Sequence, residues 1–256
     1  MFPGSIAAYN APGSRTAGYN LTYNHYIVCR TEGIAAAGSL SAWIAGGGAV
    51  IPIQSLLTSF GMNSRNSVLV QAGALQAALS ALHAPTLHWI STLSLPLPVP
   101  PPAIINPIRG GSLADDLHAI YDSVGAPGAV TASGGYVAAS KAMHCLFPNL
   151  APMIDGEHTG LSYSRIARAT YTAPLGLGDW ALWVGAPLGG VPNPSPRGAG
   201  RTGWDWTRFV AAIGINQHIY ELWQGNHGNA GLSVFFALDP AAGTTGVPRI
   251  VDKVLW

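Results

Sequence analysis

The residues with chemistry to offer follow one another in a single stretch. It runs Val130-Thr-Ala-Ser-Gly-Gly-Tyr-Val-Ala138, then Ala139-Ser-Lys-Ala-Met-His-Cys-Leu-Phe147, then Pro148-Asn-Leu-Ala-Pro-Met-Ile-Asp155-Gly156. The order is a glycine-bearing hairpin, a helix, and a short extended connector that presents an aspartate. Gly134 and Gly135 leave backbone amides close to a helix start, where unsatisfied N–H groups and the helix dipole favour an anion such as a phosphate. Asp155 stands ahead of a further helical run, Thr159 to Ala169. As a residue preceding a helix it reads as an N-cap worth about 1 kcal/mol. Lys141 reads either as a phosphate contact or as an ammonium snorkelling at the edge of the core. Arg165 and Arg168, one helical turn apart, either clamp a phosphate or solvate an exposed face. His144 and Cys145 read as packed, since nothing near them in sequence supplies a charge partner.

This pattern resembles the helix-hairpin-helix DNA glycosylase superfamily, in particular its adenine-mismatch branch. There the hairpin has the form L-P-G-V-G-x-Y-T-A and the connector ends P-I-L-D-G. Val130, Gly134, Tyr136, Val137 and Ala138 fall on the hairpin positions and Pro152-Met-Ile-Asp155-Gly156 on the connector, so that the likeness covers Val130 to roughly Ile166. The resemblance implies base excision: a base is flipped from the DNA stack and its N-glycosidic bond is hydrolysed, with Asp155 stabilising the oxocarbenium-like sugar and with no cofactor. It also implies DNA contacts from Ser133, Gly134, Gly135, Tyr136, Lys141 and Arg165, and base stacking by an aromatic such as Tyr163, Trp180 or Trp183. The chain departs from the pattern in three places. The first hairpin glycine is Ala132, the catalytic lysine of bifunctional members falls on Tyr136, and the cluster cysteines are absent. The implied enzyme is therefore a monofunctional glycosylase without a lyase step.

Composition limits the partners. Charged residues are 9% of the 256 and the net charge is +1, from 12 basic and 11 acidic residues. A typical domain carries about 25% charged residues, so no long-range field draws this chain onto nucleic acid or an anionic membrane, and any DNA contact is local. That shortage leaves a rival reading open, a non-catalytic binding or interaction protein on the same helical scaffold. A membrane-associated protein is the third. Two stretches carry no charge, between Glu32 and Arg65 and between Arg65 and Arg109; within Gly33 to Phe60 the apolar run is interrupted by Gly46-Gly47-Gly48 and Pro52 into pieces too short to span a bilayer. No secretory signal opens the sequence, so the expected location is cytoplasmic and no membrane partner is expected. Cys29 and Cys145 lack C-x-x-C spacing and read as two reduced core thiols. His144, Asp155 and His158 are ligand types without any established metal spacing, so no metal site is expected. The oligomeric state is left open.

The elements that must position these residues are mainly α, a two-part helical domain with a helix-hairpin-helix-like element and few short strands. Residues 1–94 form an N-terminal helical part, 95–108 a proline-rich linker, and 109–256 a C-terminal part with the hairpin and Asp155. Helical runs are read at Ile34–Ala45, Ile51–Phe60, Val68–Leu82, Ser112–Gly125, Gly134–Leu146, Thr159–Ala169, Trp206–Trp223 and Val247–Trp256. Leu232–Leu238 has strand-like residues. Leu95-Pro-Leu-Pro-Val-Pro-Pro-Pro102, with five prolines in eight residues, cannot be helix or central strand and reads as a stiff connector or a proline-module ligand.

Overall fold

With so few charges available, glycine and serine mark several of the helix boundaries, among them Gly38, Ser39, Gly46, Ser112 and Gly135. The computed structural model describes residues 2–14, 16–63, 67–154, 206–239 and 246–255. The first elements are α1 (Phe2–Asn10), α2 (Ala17–Ala37) and α3 (Leu40–Ala45). The run read as one helix from Ile34 to Ala45 is two. Gly38 takes a left-handed conformation (φ 85°) and donates its N–H to the Ile34 carbonyl, and extended Ser39 caps α3 by accepting from the Ala42 amide. The Tyr- and Asn-rich start, where periodicity is weak, is most of α2. Its buried face is lined by Tyr23 and Tyr26 while Leu21 and Val28 stay exposed, so an apolar count along the sequence misreads which side faces inward.

The remaining elements are α4 (Val50–Ser59), α5 (Ala72–Ser80), α6 (Ala84–Ser91), a 3-10 turn (Pro101–Ala103), α7 (Leu113–Gly125), α8 (Tyr136–Leu146), α9 (Trp206–Asn226), α10 (Leu232–Phe236) and α11 (Val247–Leu255). The fold is mainly α. Among the described residues, extended backbone pairs only as isolated bridges, Leu69 with Thr131 and Ile105 with Ser112. Leu232–Leu238, read as strand-like, contains α10 instead. Its Phe235 packs edge-on against Tyr220 (5.1 Å) and Trp223 (4.9 Å) of α9, and this packing overrides the β-preference of aromatic residues. At α7 the S-x-x-D spacing of Ser112 and Asp115 forms a capping box: Ser112 Oγ accepts from the Asp115 amide (3.1 Å) and Asp115 Oδ2 accepts from the Ser112 amide (3.2 Å).

One buried apolar cluster draws on both sides of the proline segment, from Tyr23, Ile44 and Leu56 to Leu117, Met143, Phe209 and Ile250. Helix α2 packs on α4, α7 on α8, and α11 on α1 and α9. The proline segment is tied down by its two leucines, which keep the donors that proline lacks. The Leu95 amide donates to the Asn149 carbonyl (2.9 Å), while the Gln217 side chain accepts from the Leu97 amide (2.9 Å) and donates to its carbonyl (3.1 Å). Among the described residues no helix is long and apolar enough to cross a membrane.

Candidate functional site

The hairpin between α7 and α8 is built on a close backbone approach. Gly134 has φ 64°, and a Cβ there would lie 2.5 Å from the Gly125 carbonyl oxygen and 2.7 Å from the Pro127 nitrogen. Only glycine fits, because both the backbone angle and the space exclude a side chain. The Gly135 amide donates to the last carbonyl of α7, Gly125 (2.9 Å), and the Gly134 amide to Thr131 (3.2 Å). Neither is the open donor that the sequence analysis assigns to it; the loop uses both to close itself. Ser133 is exposed at the tip, and Tyr136 begins α8 half-buried. Helix α8 has no side-chain cap at Gly135.

Helix α8 is buried from Ala138 to Leu146, and its polar side chains all reach for backbone. Ser140 Oγ accepts from the Ile154 amide (3.3 Å), and its single proton has the carbonyls of Ile154 (3.0 Å) and Val137 (3.2 Å) within reach. His144 Nδ1 lies 2.7 Å from the Ala151 carbonyl and Nε2 3.1 Å from the Tyr23 hydroxyl. A carbonyl only accepts, so Nδ1 carries the proton and Nε2 accepts from Tyr23. Burial holds the ring neutral and lowers its pKa to about 4. Together Ser140 and His144 fasten the connector at residues 151 and 154, immediately ahead of Asp155. Burial pushes the Cys145 thiol up to about 12, and its carbonyl accepts from the Tyr26 hydroxyl.

Lys141 lies inside the protein rather than on a surface open to phosphate. Its ammonium is 2.6 Å from the Phe60 carbonyl at the C-terminal end of α4 and sits over the Phe60 ring, a favourable place for a cation. Arg30 does the same for α8, donating to the Leu146 carbonyl (2.8 Å). Arg249 and Lys253 are buried, and Arg109 is half-exposed beside Asp116 at 3.5 Å. The described basic side chains are thus turned inward or paired. Asp155 and Arg165, with Arg168, His158, Tyr163, Trp180 and Trp183, lie outside the described residues.

A second polar centre, which the sequence analysis missed, lies where α11 meets α1 and α2. Lys253 pairs with Asp239 (2.5 Å) and Arg249 with Asp252 (2.8 Å), all four buried. Two asparagines join the pairs. Asn10 donates to Asp239 (2.7 Å) and accepts from Lys253 (3.0 Å) and from Asn20 (2.5 Å), and Asn20 accepts from Arg249 (2.9 Å). The Arg249 guanidinium also lies over the rings of Tyr23 (4.5 Å) and Tyr9 (5.2 Å), and its Nε has no partner. Burial works against the charge on Arg249, but Tyr9 and Asp252 outweigh it and its pKa is raised; burial pushes Tyr9 up to about 12. With each cation matched by a carboxylate, the centre locks helices together and leaves no base free to work on a substrate. The signal was present in sequence: Arg249, Asp252 and Lys253 share one face of a helix whose other residues, Val, Pro, Ile and Leu, are all apolar.

Among the described residues no group of three or more His, Cys, Asp or Glu side chains is arranged to hold a metal. Compared with known protein families, curated proteins and solved structures, the chain matches none.

Proposed function

We propose that the protein is a monofunctional DNA glycosylase-like hydrolase of the helix-hairpin-helix type. In this reading Asp155, as carboxylate, stabilises the sugar cation while the N-glycosidic bond breaks. The bond's electron pair leaves with the base, which takes up a proton, and water adds to the sugar carbon to give an abasic site. The observation that carries the reading is the double fastening of the connector, Ala151 to His144 and Ile154 to Ser140. Catalytic groups need a backbone held in place, and here the residue directly before Asp155 is anchored to the helix that follows the hairpin. Phosphate contacts in this reading fall to arginines other than those already engaged in the core, Arg165 among them.

The test is excision. Duplexes with mismatched, deaminated, oxidised or alkylated bases are incubated with the wild type and with Asp155→Asn, and abasic sites are scored after alkali. The expected result is cleavage by the wild type and a rate lower by about two to three orders of magnitude in the variant. Absence of cleavage across the panel, or equal rates, overturns the proposal.

The rival, a non-catalytic interaction protein on the same scaffold, is favoured by a separate observation: the hairpin amides of Gly134 and Gly135 are used within the loop and Lys141 is inside. Oligonucleotide binding followed against salt separates the two. A glycosylase shows affinity that falls with salt, and Arg165→Gln reduces the slope by about one phosphate contact; the interaction protein shows neither.

A further inference from the structure

Cys29 does not lie in the core, where the sequence analysis puts it. It is half-exposed on α2, and its Sγ is 3.5 Å from Nε2 of His25, an exposed residue one turn earlier. The other thiol, Cys145, is buried inside α8 and out of reach. An imidazole and a thiol on adjacent turns of one helix are a chelating pair, and the spacing of this pair is informative. Zinc takes a thiolate at roughly 2.3 Å and an imidazole nitrogen at roughly 2.05 Å, so a tetrahedral angle requires sulfur and nitrogen about 3.6 Å apart. The side chains already stand at that separation.

Two ligands fill half of a tetrahedron, and among the described residues no third His, Cys, Asp or Glu joins them. A two-fold axis would supply the rest. Positions 25 and 29 are symmetric about Ile27 near the middle of α2, so two copies of the helix crossing there bring His25 of each beside Cys29 of the other. The same exposed face carries Leu21 and Val28, 76% and 51% exposed, apolar side chains that a helix-to-helix contact would cover. We infer that His25 and Cys29 form half of a tetrahedral site for a thiophilic divalent cation of the zinc class, completed by the same pair from a second copy of the chain. On binding, each Cys29 thiol releases its proton to solvent and each His25 coordinates as the neutral ring. Two thiolates balance the dication, so the site adds no charge to a charge-poor surface.

The experiment uses the full chain, with cobalt(II) as the spectroscopic probe and zinc(II) for the mass measurement. Expected are thiolate-to-cobalt charge-transfer and tetrahedral d–d bands that saturate at one cobalt per two chains, together with a zinc-dependent doubling of the mass in light scattering. Both disappear in Cys29→Ser and in His25→Gln, and both variants keep the wild-type far-UV circular dichroism because the positions lie on the surface. The inference is overturned if no thiolate band forms, if the band survives in Cys29→Ser, or if cobalt saturates at one per chain without a change in mass.

Discussion

Helices α8 and α11 are both enclosed along most of their length, and each carries three polar side chains into the interior, but the partners differ in kind. Ser140, Lys141 and His144 of α8 bind backbone groups, at Ile154, Phe60 and Ala151. Arg249, Asp252 and Lys253 of α11 bind side chains, with Asp239, Asn10 and Asn20 completing the set. A carbonyl or amide is present whatever residue carries it, so these backbone contacts ask only that the chain pass through a given place; those of Ser140 and His144 hold the connector there, and His144 also takes a side-chain hydroxyl, that of Tyr23, at its other nitrogen. An ion pair requires its partner's identity. Burying it carries a desolvation penalty that only a matched charge offsets, and what it gains is specificity about which helices meet. One centre fixes a backbone position, and the other fixes the assembly of the first, second and last helices.

The largest expected effect separates these two kinds of contact. Lys253→Met leaves Asp239 buried, with Asn10 as its remaining described partner, and destabilises the protein by about 3 to 5 kcal/mol in urea unfolding. Lys253→Met combined with Asp239→Leu recovers most of that loss, because an apolar pair of similar volume has no charge to desolvate. Should the single variant lose no more than the double, the α11 centre does not depend on charge matching.

The second effect is about 3 kcal/mol and belongs to α8. His144 has a pKa of about 4 in the folded state, against an ordinary 6.5. The unfolded chain therefore binds the proton first as pH falls, so this stability is fully present above pH 6.5 and is lost progressively down to about pH 4. Melting temperature followed across that window falls more steeply for the wild type than for His144→Gln, whose side chain does not titrate. Parallel profiles would assign the pH dependence to other groups.

The third, about 2 to 3 kcal/mol by thermal or urea unfolding, concerns the hairpin. Gly134→Ala places a methyl group 2.5 Å from the Gly125 carbonyl oxygen at φ 64°, whereas at Gly135, with φ 109°, a Cβ meets nothing within 4 Å. Gly135→Ala should therefore show backbone strain alone and the smaller loss. Equal losses would mean that the close approach to α7 adds nothing beyond the dihedral angle.

How much of this was legible depended on how far apart the partners lie. The α7 cap could be read because Ser112 and Asp115 are three residues apart and cap chemistry is local. Gly134-Gly135 could be read as a turn, but the identity of the backbone they approach, Gly125 and Pro127, is set by the return of the loop. Lys141 kept two readings in sequence because its partner, Phe60, is 81 positions away. The partners of Arg249 at Asn20 and Tyr9 are 229 and 240 positions away, so the charges on α11 signalled burial only through their apolar neighbours. The position of Cys29 escapes the sequence for a related reason: in α2 Tyr23 and Tyr26 face the core and Leu21 faces out, the reverse of what hydropathy favours.

The smallest effect tests whether the α8 contacts position the chain or merely fill space. Ser140→Ala removes one hydroxyl, leaving the buried amide and carbonyl of Ile154 without that partner, and should lower stability by about 1 to 2 kcal/mol. Glycine-scale changes in volume are not involved, since alanine keeps the Cβ, so any larger loss would point to a rearranged connector. The more informative readout is the comparison with Ser140→Thr, which restores the hydroxyl. If Ser140 holds the backbone ahead of Asp155, alanine reduces excision by more than its stability loss accounts for and threonine restores both. If excision follows stability alone in both variants, the connector is fastened for folding, and the place of Asp155 is set by residues beyond it.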